Sequence, residues 1–349
     1  MRDQLLELTL SALLPAGADA GNVLWVVDEN LSPELMLNVR PFAGLTVMTN
    51  RFDVQQKFAA QGFTVLLSDF DFTDIGQFDR IVYRVSKEKL LAHHCINQSL
   101  RHVARDGQFI ITGNKQDGIK SIVKNTSDAY RLNSRAKKHG SSYSATFFRP
   151  SDDVLANTWL PDEDYGHLRL VSHQDIDFYS KPGVFGWEKV DRGSQLLVSV
   201  LTDVCKYIKS VDSVIDIGCG WGYLMMSTQS MNVARCVATD NNVAAMEAAQ
   251  KNFAARGMNV ECRLDDCAAH VRERFDLILC NPPFHQGFAV GENITVKFLK
   301  AAARMSRRST RAVFVVNQFI PLEKLAADYF SQIRVMAAQN GFTVYELRP

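Results

Sequence analysis

The tetrapeptide Asn281-Pro282-Pro283-Phe284 is the part of this chain best suited to do chemistry. It follows an apolar run, Phe275-Asp276-Leu277-Ile278-Leu279-Cys280. Two consecutive prolines neither continue a helix nor donate in a central strand. They fix φ and leave carbonyls with no local N–H partner. The Asn281 side-chain oxygen beside the Pro282 carbonyl makes a compact pair of acceptors, suited to a planar NH₂ group. The ring of Phe284 can stack on the plane that carries that nitrogen. His285 could take up a product proton, although lining the entrance is the plainer expectation for it.

The elements that must position this group read as a doubly wound sheet. The run Val214-Ile215 leads into Asp216-Ile217-Gly218-Cys219-Gly220-Trp221-Gly222. Its three alternating glycines fit a strand-to-helix turn where a ligand approaches the backbone. Arg235-Cys236-Val237-Ala238-Thr239-Asp240 reads as a second strand ending in an acid, the place where ribose hydroxyls are bound in such sheets. A third strand, Val260–Leu264, ends at Asp265-Asp266, and a fourth delivers Asn281. All four tips fall on one carboxyl edge, where open α/β sheets bind ligands. Helices are expected over about 190–207, 243–256 and 291–305, and late strands over Arg311–Val316 and Thr343–Leu347.

This order resembles the class I S-adenosylmethionine-dependent methyltransferases, and Asn-Pro-Pro-Phe points to members acting on nitrogens conjugated to planar groups. Four further stretches carry the resemblance: Lys181-Pro182-Gly183-Val184-Phe185, Asp191-Arg192-Gly193-Ser194-Gln195-Leu196-Leu197, Asn281 to Gly287, and Val316-Asn317-Gln318-Phe319-Ile320-Pro321. They are similar to the bacterial RsmC-type guanine-N2 methyltransferases of small-subunit ribosomal RNA, whose target is guanine 1207 of 16S ribosomal RNA.

The resemblance implies S-adenosylmethionine as cofactor and ribosomal RNA, within the small subunit, as partner. Gly218, Gly220 and Gly222 would admit the methionine and ribose portion. Asp216 would take the cofactor ammonium, Asp240 the ribose hydroxyls, and Asp266, preferred over Asp265, the adenine amine. Asn281, Pro282 and Phe284 would be catalytic. Phe185, His285 and Asn317 would lie on the substrate side. A strand-end or cap role is the ordinary alternative for each acid. Phe185 and Trp187 could equally be core. Trp221, inside the glycine turn, is expected to narrow the cofactor mouth. Rival readings are a large-subunit RNA guanine-N2 enzyme, a protein-glutamine N5 methyltransferase, a DNA adenine methyltransferase, and a non-catalytic RNA-binding assembly factor.

Residues 1–155 show their own α/β alternation, with strand runs at Val23–Val27, Leu45–Thr49, Thr64–Leu67, Asp79–Val85 and Phe109–Gly113. Asp28-Glu29-Asn30 replaces the glycine turn, and Tyr83-Arg84-Val85-Ser86-Lys87 replaces Asn-Pro-Pro-Phe. The fold expected is α/β: two tandem Rossmann-like methyltransferase domains. The first, 1–155, is degenerate and serves RNA recognition or support. A linker and hairpin occupy 156–185, the linker marked by Trp159-Leu160-Pro161-Asp162-Glu163-Asp164. The catalytic domain, 186–349, is built on a seven-stranded mixed sheet.

The 349 residues allow two full cores. Apolar residues at 46% and charged residues at 22% are ordinary for a globular protein. No apolar run suits a membrane span, and no signal peptide is evident. Seven cysteines without a C-x-x-C pair argue against zinc or a disulfide framework and fit a reducing cytoplasm. A net charge of +1 leaves room only for local basic faces. Two clusters are candidates, Arg131-Arg135-Lys137-Lys138 and Arg304-Arg307-Arg308-Arg311, and for each a solvated surface is the plainer reading.

Overall fold

The protein is described here from a computed structural model. Residues 3–14, 21–29, 39–206, 208, 210–283 and 294–349 are described. Phe284 and His285 lie outside them. The chain divides into two compact units, Met1–His167 and Leu168–Pro349.

The first unit is a seven-stranded sheet: β1 (Val23–Val27), β2 (Leu45–Thr49), β3 (Thr64–Leu67), β4 (Phe78–Arg84), β5 (Val103–Asn114), β6 (Lys137–His139) and β7 (Ser142–Phe148), in the order β3-β2-β1-β4-β5-β7-β6. In the second unit a hairpin, β8 (Arg169–His173) and β9 (Ile176–Ser180), precedes β10 (Ser213–Ile217), β11 (Arg235–Asp240), β12 (Glu261–Leu264), β13 (Phe275–Cys280), β14 (Ser306–Asn317), β15 (Gln332–Gln339) and β16 (Phe342–Arg348). The order β12-β11-β10-β13-β14-β16-β15 repeats that of the first unit. Five neighbouring strands are parallel, and β16 and β15 close the sheet antiparallel. The sheet is therefore mixed. Its central strands are buried on both faces, which explains the nearly unbroken apolar runs of β10 and β13.

The repeated pairing registers allow the two units to be compared residue by residue. β1 pairs with β2 from Val23↔Leu45 to Val27↔Thr49, and β10 with β11 from Ser213↔Arg235 to Ile217↔Thr239. Val26 therefore stands where the second unit has Asp216, and Asn50 where it has Asp240. Pairing of Val26 with Tyr83, against Asp216 with Leu279, puts Val85 in the place of Asn281. The strand tips of the first unit are instead tied to one another. The Tyr83 hydroxyl donates to Asp28 at 3.1 Å. The Tyr165 hydroxyl and the Asn50 amide both donate to Asp69, at 3.2 and 3.1 Å. Tyr83 and Tyr165 are fully buried, and desolvation raises both phenols well above their ordinary pKa.

The stretch Trp159–Asp164, expected as a linker, is held within the first unit by one buried amide. The Asn97 side chain donates to the Leu160 carbonyl at 2.9 Å and to Asp162 at 3.3 Å. It accepts from the Leu160 N–H and the Tyr130 hydroxyl, both at 2.8 Å. The Arg101 guanidinium lies 4.1 Å over the Trp159 ring. The expected hairpin is present as β8–β9. Among the described residues no helix is long and apolar enough to cross a membrane.

Replacing Asn97 by Ala strands buried donors and acceptors on two segments, Tyr130 and the stretch Leu160–Asp162. We expect Asn97→Ala to lower stability by about 2–4 kcal/mol, because each orphaned buried group costs about 1–3 kcal/mol. Urea titration followed by tryptophan fluorescence, which reads Trp25 and Trp159 of this unit together with Trp187 and Trp221 of the other, checks this.

Candidate active site

The carboxyl edge of the second sheet gathers the expected residues on adjacent strands. The glycine turn bends back over β11, with the Gly218 and Cys219 N–H groups donating to the Thr239 carbonyl at 2.8 and 2.9 Å. Gly222 has φ +95°, and a Cβ there would come within 2.7 Å of the Phe253 ring. That glycine serves the packing of the helix Val243–Ala255 beneath the turn. Gly220 differs. At φ +56° a Cβ would meet nothing within 4 Å, so its backbone borders open space. Gly218 also has positive φ.

Trp221 does not narrow a mouth as expected. It is 4% exposed and stacks on Phe178 of β9, with ring centroids 3.9 Å apart. Buried Asn252 completes this joint, donating to the carbonyls of Tyr179 and Trp221 at 2.9 and 2.8 Å. The large side chain within the turn thus fastens the turn to the hairpin.

Asp240 ends β11 and accepts from the Gly220 N–H and the Asn242 N–H, both at 2.9 Å. Burial raises its pKa against the pull of these donors. Asp216 is fully buried. One carboxyl oxygen accepts from the Met225 N–H at 3.1 Å, and the other has no partner. Desolvation pushes its pKa from 3.8 to about 7. The Thr239 hydroxyl, on the neighbouring strand, is also buried without a partner. Of the adjacent acids after β12, Asp265 is buried, and its two oxygens take the N–H and the ring nitrogen of His270 at 2.9 Å each. Asp266 is half-buried and pairs with Lys297 at 3.0 Å.

Asn281 follows β13 directly. Its Nδ2 donates to Asp191 Oδ2 at 2.9 Å and to Ser194 Oγ at 2.8 Å. A carboxylate only accepts, so the nitrogen must face Asp191 and the oxygen must face away. That oxygen, Oδ1, is shielded from solvent and has no partner. Asp191 is also the N-cap of the helix Arg192–Cys205, accepting from the Ser194 N–H at 2.8 Å. Sequence reasoning gave Asp191 and Ser194 no role at the site. Their spacing carried only a cap signal, and the cap residue here also orients the amide. Pro282 is buried.

Two expected substrate-side residues are found in different settings. Phe185 is 59% exposed. Asn317 is occupied locally, its Oδ1 accepting from the Phe319 N–H at 3.1 Å, and this turn presents Phe319 at 84% exposure. Three arginines of the second basic cluster are committed inside the unit. Arg304 donates to the Val271 and Ala268 carbonyls, Arg307 pairs with Asp276 at 2.5 Å, and Arg311 with buried Glu346 at 3.1 Å. The first cluster, Arg131, Arg135, Lys137 and Lys138, is exposed. Among the described residues no group of three His, Cys, Asp or Glu side chains could hold a metal ion.

Three orphaned polar atoms, Asp216 Oδ1, Thr239 Oγ1 and Asn281 Oδ1, therefore sit on three adjacent strands beside an open glycine turn. Buried polar atoms in folded proteins find partners, and a group of exceptions at one sheet edge fits a ligand that supplies them.

Known proteins resemble this chain along nearly its whole length. The family model described as methyltransferase small domain matches residues 175–346, and its companion, the methyltransferase small domain N-terminal model, matches residues 25–161. A protein of Shewanella pealeana named ribosomal RNA small subunit methyltransferase C is 27% identical over 331 residues, covering 93% of this chain and 92% of its own. One of the same name from Actinobacillus succinogenes is 29% identical, covering 80% and 82%. The solved structure of the T. thermophilus 16S rRNA N2 G1207 methyltransferase (RsmC), in complex with AdoMet and guanosine, superposes with a TM-score of 0.82 at 20% identity. It covers 99% of this chain and 92% of that one. With both models matched in tandem across nearly its whole length, the chain belongs to the methyltransferase small-domain family, in its two-domain RsmC-type form.

Proposed function

We propose that this protein transfers a methyl group from S-adenosylmethionine to the exocyclic N2 amine of a guanine in 16S ribosomal RNA; its relatives are named small-subunit ribosomal RNA methyltransferases, and the T. thermophilus protein a 16S rRNA N2 G1207 methyltransferase. The observation that carries the reading is the Asn281 amide. Its nitrogen is committed to Asp191 and Ser194, and its oxygen is left buried without a partner.

The residues present fit the cofactor. The unpartnered oxygen of Asp216 suits its ammonium, Asp240 its ribose hydroxyls, Asp266 its adenine amine, and the open flank of Gly220 its close approach to the backbone. When bound, the cofactor supplies an electrophilic methyl on a sulfonium.

Every other contribution belongs to the chain. The guanine amine is a weak nucleophile because its lone pair is delocalised into the ring. Asn281 Oδ1 and the Pro282 carbonyl accept its two N–H bonds, which moves electron density toward nitrogen and fixes its direction. Catalysis then comes from positioning and oriented dipoles. Methylation leaves the nitrogen cationic and its proton strongly acidic, so no strong base is needed. The target guanine must leave its stack to enter, at a cost of about a few kcal/mol. Phe284 would stack on it, and Phe185 and His285 would border it. Since Asn317 already caps a local turn, it supports the rim and presents Phe319.

Tritium transfer from labelled cofactor to purified subunits and RNAs, followed by nucleoside identification, tests the assignment. N2-methylguanosine in small-subunit RNA is expected. Label in protein would sink it. Asn281→Ala should leave cofactor affinity within about twofold and lower kcat by about 10²–10³, the usual loss for one oriented dipole at a reacting centre. Asp191→Asn can turn either amide group toward Asn281, and should lower kcat by about tenfold, less than Asn281→Ala does.

Asp216 gives a further test through pH. Its folded pKa of about 7 lies above the ordinary 3.8, so between these values the folded chain binds more protons than the unfolded one. Stability from this group therefore falls as pH rises through that window. Asp216→Asn removes the buried charge. We expect a higher Tm than the parent at about pH 8 together with at least a roughly tenfold loss of cofactor affinity, read by thermal denaturation and calorimetry.

A further inference from the structure

A cleft of about 460 Å³ opens beside Asp191, lined by His173, Gln174, Lys189, Arg192, Gln195 and Phe342. We propose that it seats the ribose-phosphate of an RNA nucleotide flanking the methylated guanine, with Lys189 and Arg192 on the phosphate. The inference rests on the function proposed above and adds the site that would hold the strand next to the target.

Three observations favour this occupant. Lys189 and Arg192 are exposed, and neither has an ion-pair partner among the described residues. Among those residues Asp191 is the one acid in the lining, so the two cations outnumber it and the net charge of the cleft is positive, while its Oδ2 is turned to the Ser194 N–H and the Asn281 amide. Asp191 is also the shared wall. The same carboxylate borders the cleft and holds Asn281 at 2.9 Å, so an occupant of the cleft lies one side chain from the acceptor for the target amine.

The shape is built rather than incidental. Gly193 starts the helix against β16, where a Cβ would come within 2.8 Å of the Phe342 ring and 3.0 Å of Asp191 Oδ2. Any larger residue would push Phe342 and Asp191 apart and change both cleft and clamp. The volume lies in the range of about 300–1,000 Å³ usual for small-ligand sites, which suits one nucleotide. The Gln174 and Gln195 amides, hydrogen-bonded to each other across the lining, and the aromatic ring add the groups by which single-stranded RNA is commonly read.

The test is binding of a fluorescent single-stranded RNA carrying the target sequence to the full chain, by anisotropy across a salt series. Lys189→Ala/Arg192→Ala should weaken binding about tenfold or more, and should flatten the slope of log K against log salt by about 0.7 for each phosphate left without its cation. Cofactor affinity and Tm, read in parallel, should not move, because both side chains are exposed. Arg192→Lys should restore part of the affinity. Unchanged affinity and slope in the double variant would overturn the cleft assignment. If the parent chain instead binds RNA with this cation dependence but transfers no methyl group to it, the cleft stands and the methyltransferase reading fails.

Discussion

The second unit depends on an amide with one face committed. An asparagine side chain can present a donor or an acceptor to a ligand, and a free amide presents both. Asp191 removes the choice, because a carboxylate can only accept and so draws Nδ2 to itself. Ser194 Oγ takes the other N–H. What remains is a pure acceptor at the end of β13, held by the first turn of the helix Arg192–Cys205. This ties the chemistry to the packing. Any movement of that helix away from β16, which Gly193 approaches closely, would loosen the amide before it disturbed the core.

The first unit shows what the same sheet does when this demand is absent. Its strand order is the same, yet Val26, Asn50 and Val85 stand at the positions of Asp216, Asp240 and Asn281. The tips that remain polar satisfy each other, with Tyr83 on Asp28 and with Tyr165 and Asn50 on Asp69. Two buried tyrosines fill space and donate hydrogen bonds there. The contrast is thermodynamic. Each buried orphan at the second unit's edge costs about 1–3 kcal/mol that a paired group does not. The first unit has shed that cost along with the residues that would offset it on binding a ligand.

Much of this was legible in the sequence. The central strands of the second sheet, β10 and β13, announced themselves as nearly unbroken apolar runs leading into Gly or Asn, because burial on both sheet faces leaves no alternation to misread. β15 gave no such signal. It is an edge strand with a mostly exposed pattern, and its polar residues resemble a loop until β16 pairs with it. The turn tryptophan was misjudged because the sequence separates Trp221 from Phe178 by 43 positions, and only the folded hairpin brings the rings together. Asp191 and Ser194 were invisible as site residues for a related reason. A residue that caps a helix and orients an amide 90 positions away has the same local signature as one that only caps. The basic cluster around Arg304–Arg311 read as surface or RNA face, and three of its four members proved to hold the unit's own carbonyls and acids.

Asp216 links the fold to the proposed work of the site. A carboxyl wholly buried in the sheet, with one oxygen unmet, is poorly stabilised as an anion, which is why its pKa lies near 7. A bound ammonium would reverse this balance, since an opposite charge in a desolvated site favours the ionised form. The same residue thus weakens the folded chain at neutral pH and would strengthen its hold on a cationic ligand. The orphaned oxygen of Asn281 follows the same logic with a neutral donor in place of a charge. Both groups are left underpaired on neighbouring strands at one sheet edge, with the Thr239 hydroxyl beside them, which is the pattern of a site organised for something it does not itself contain.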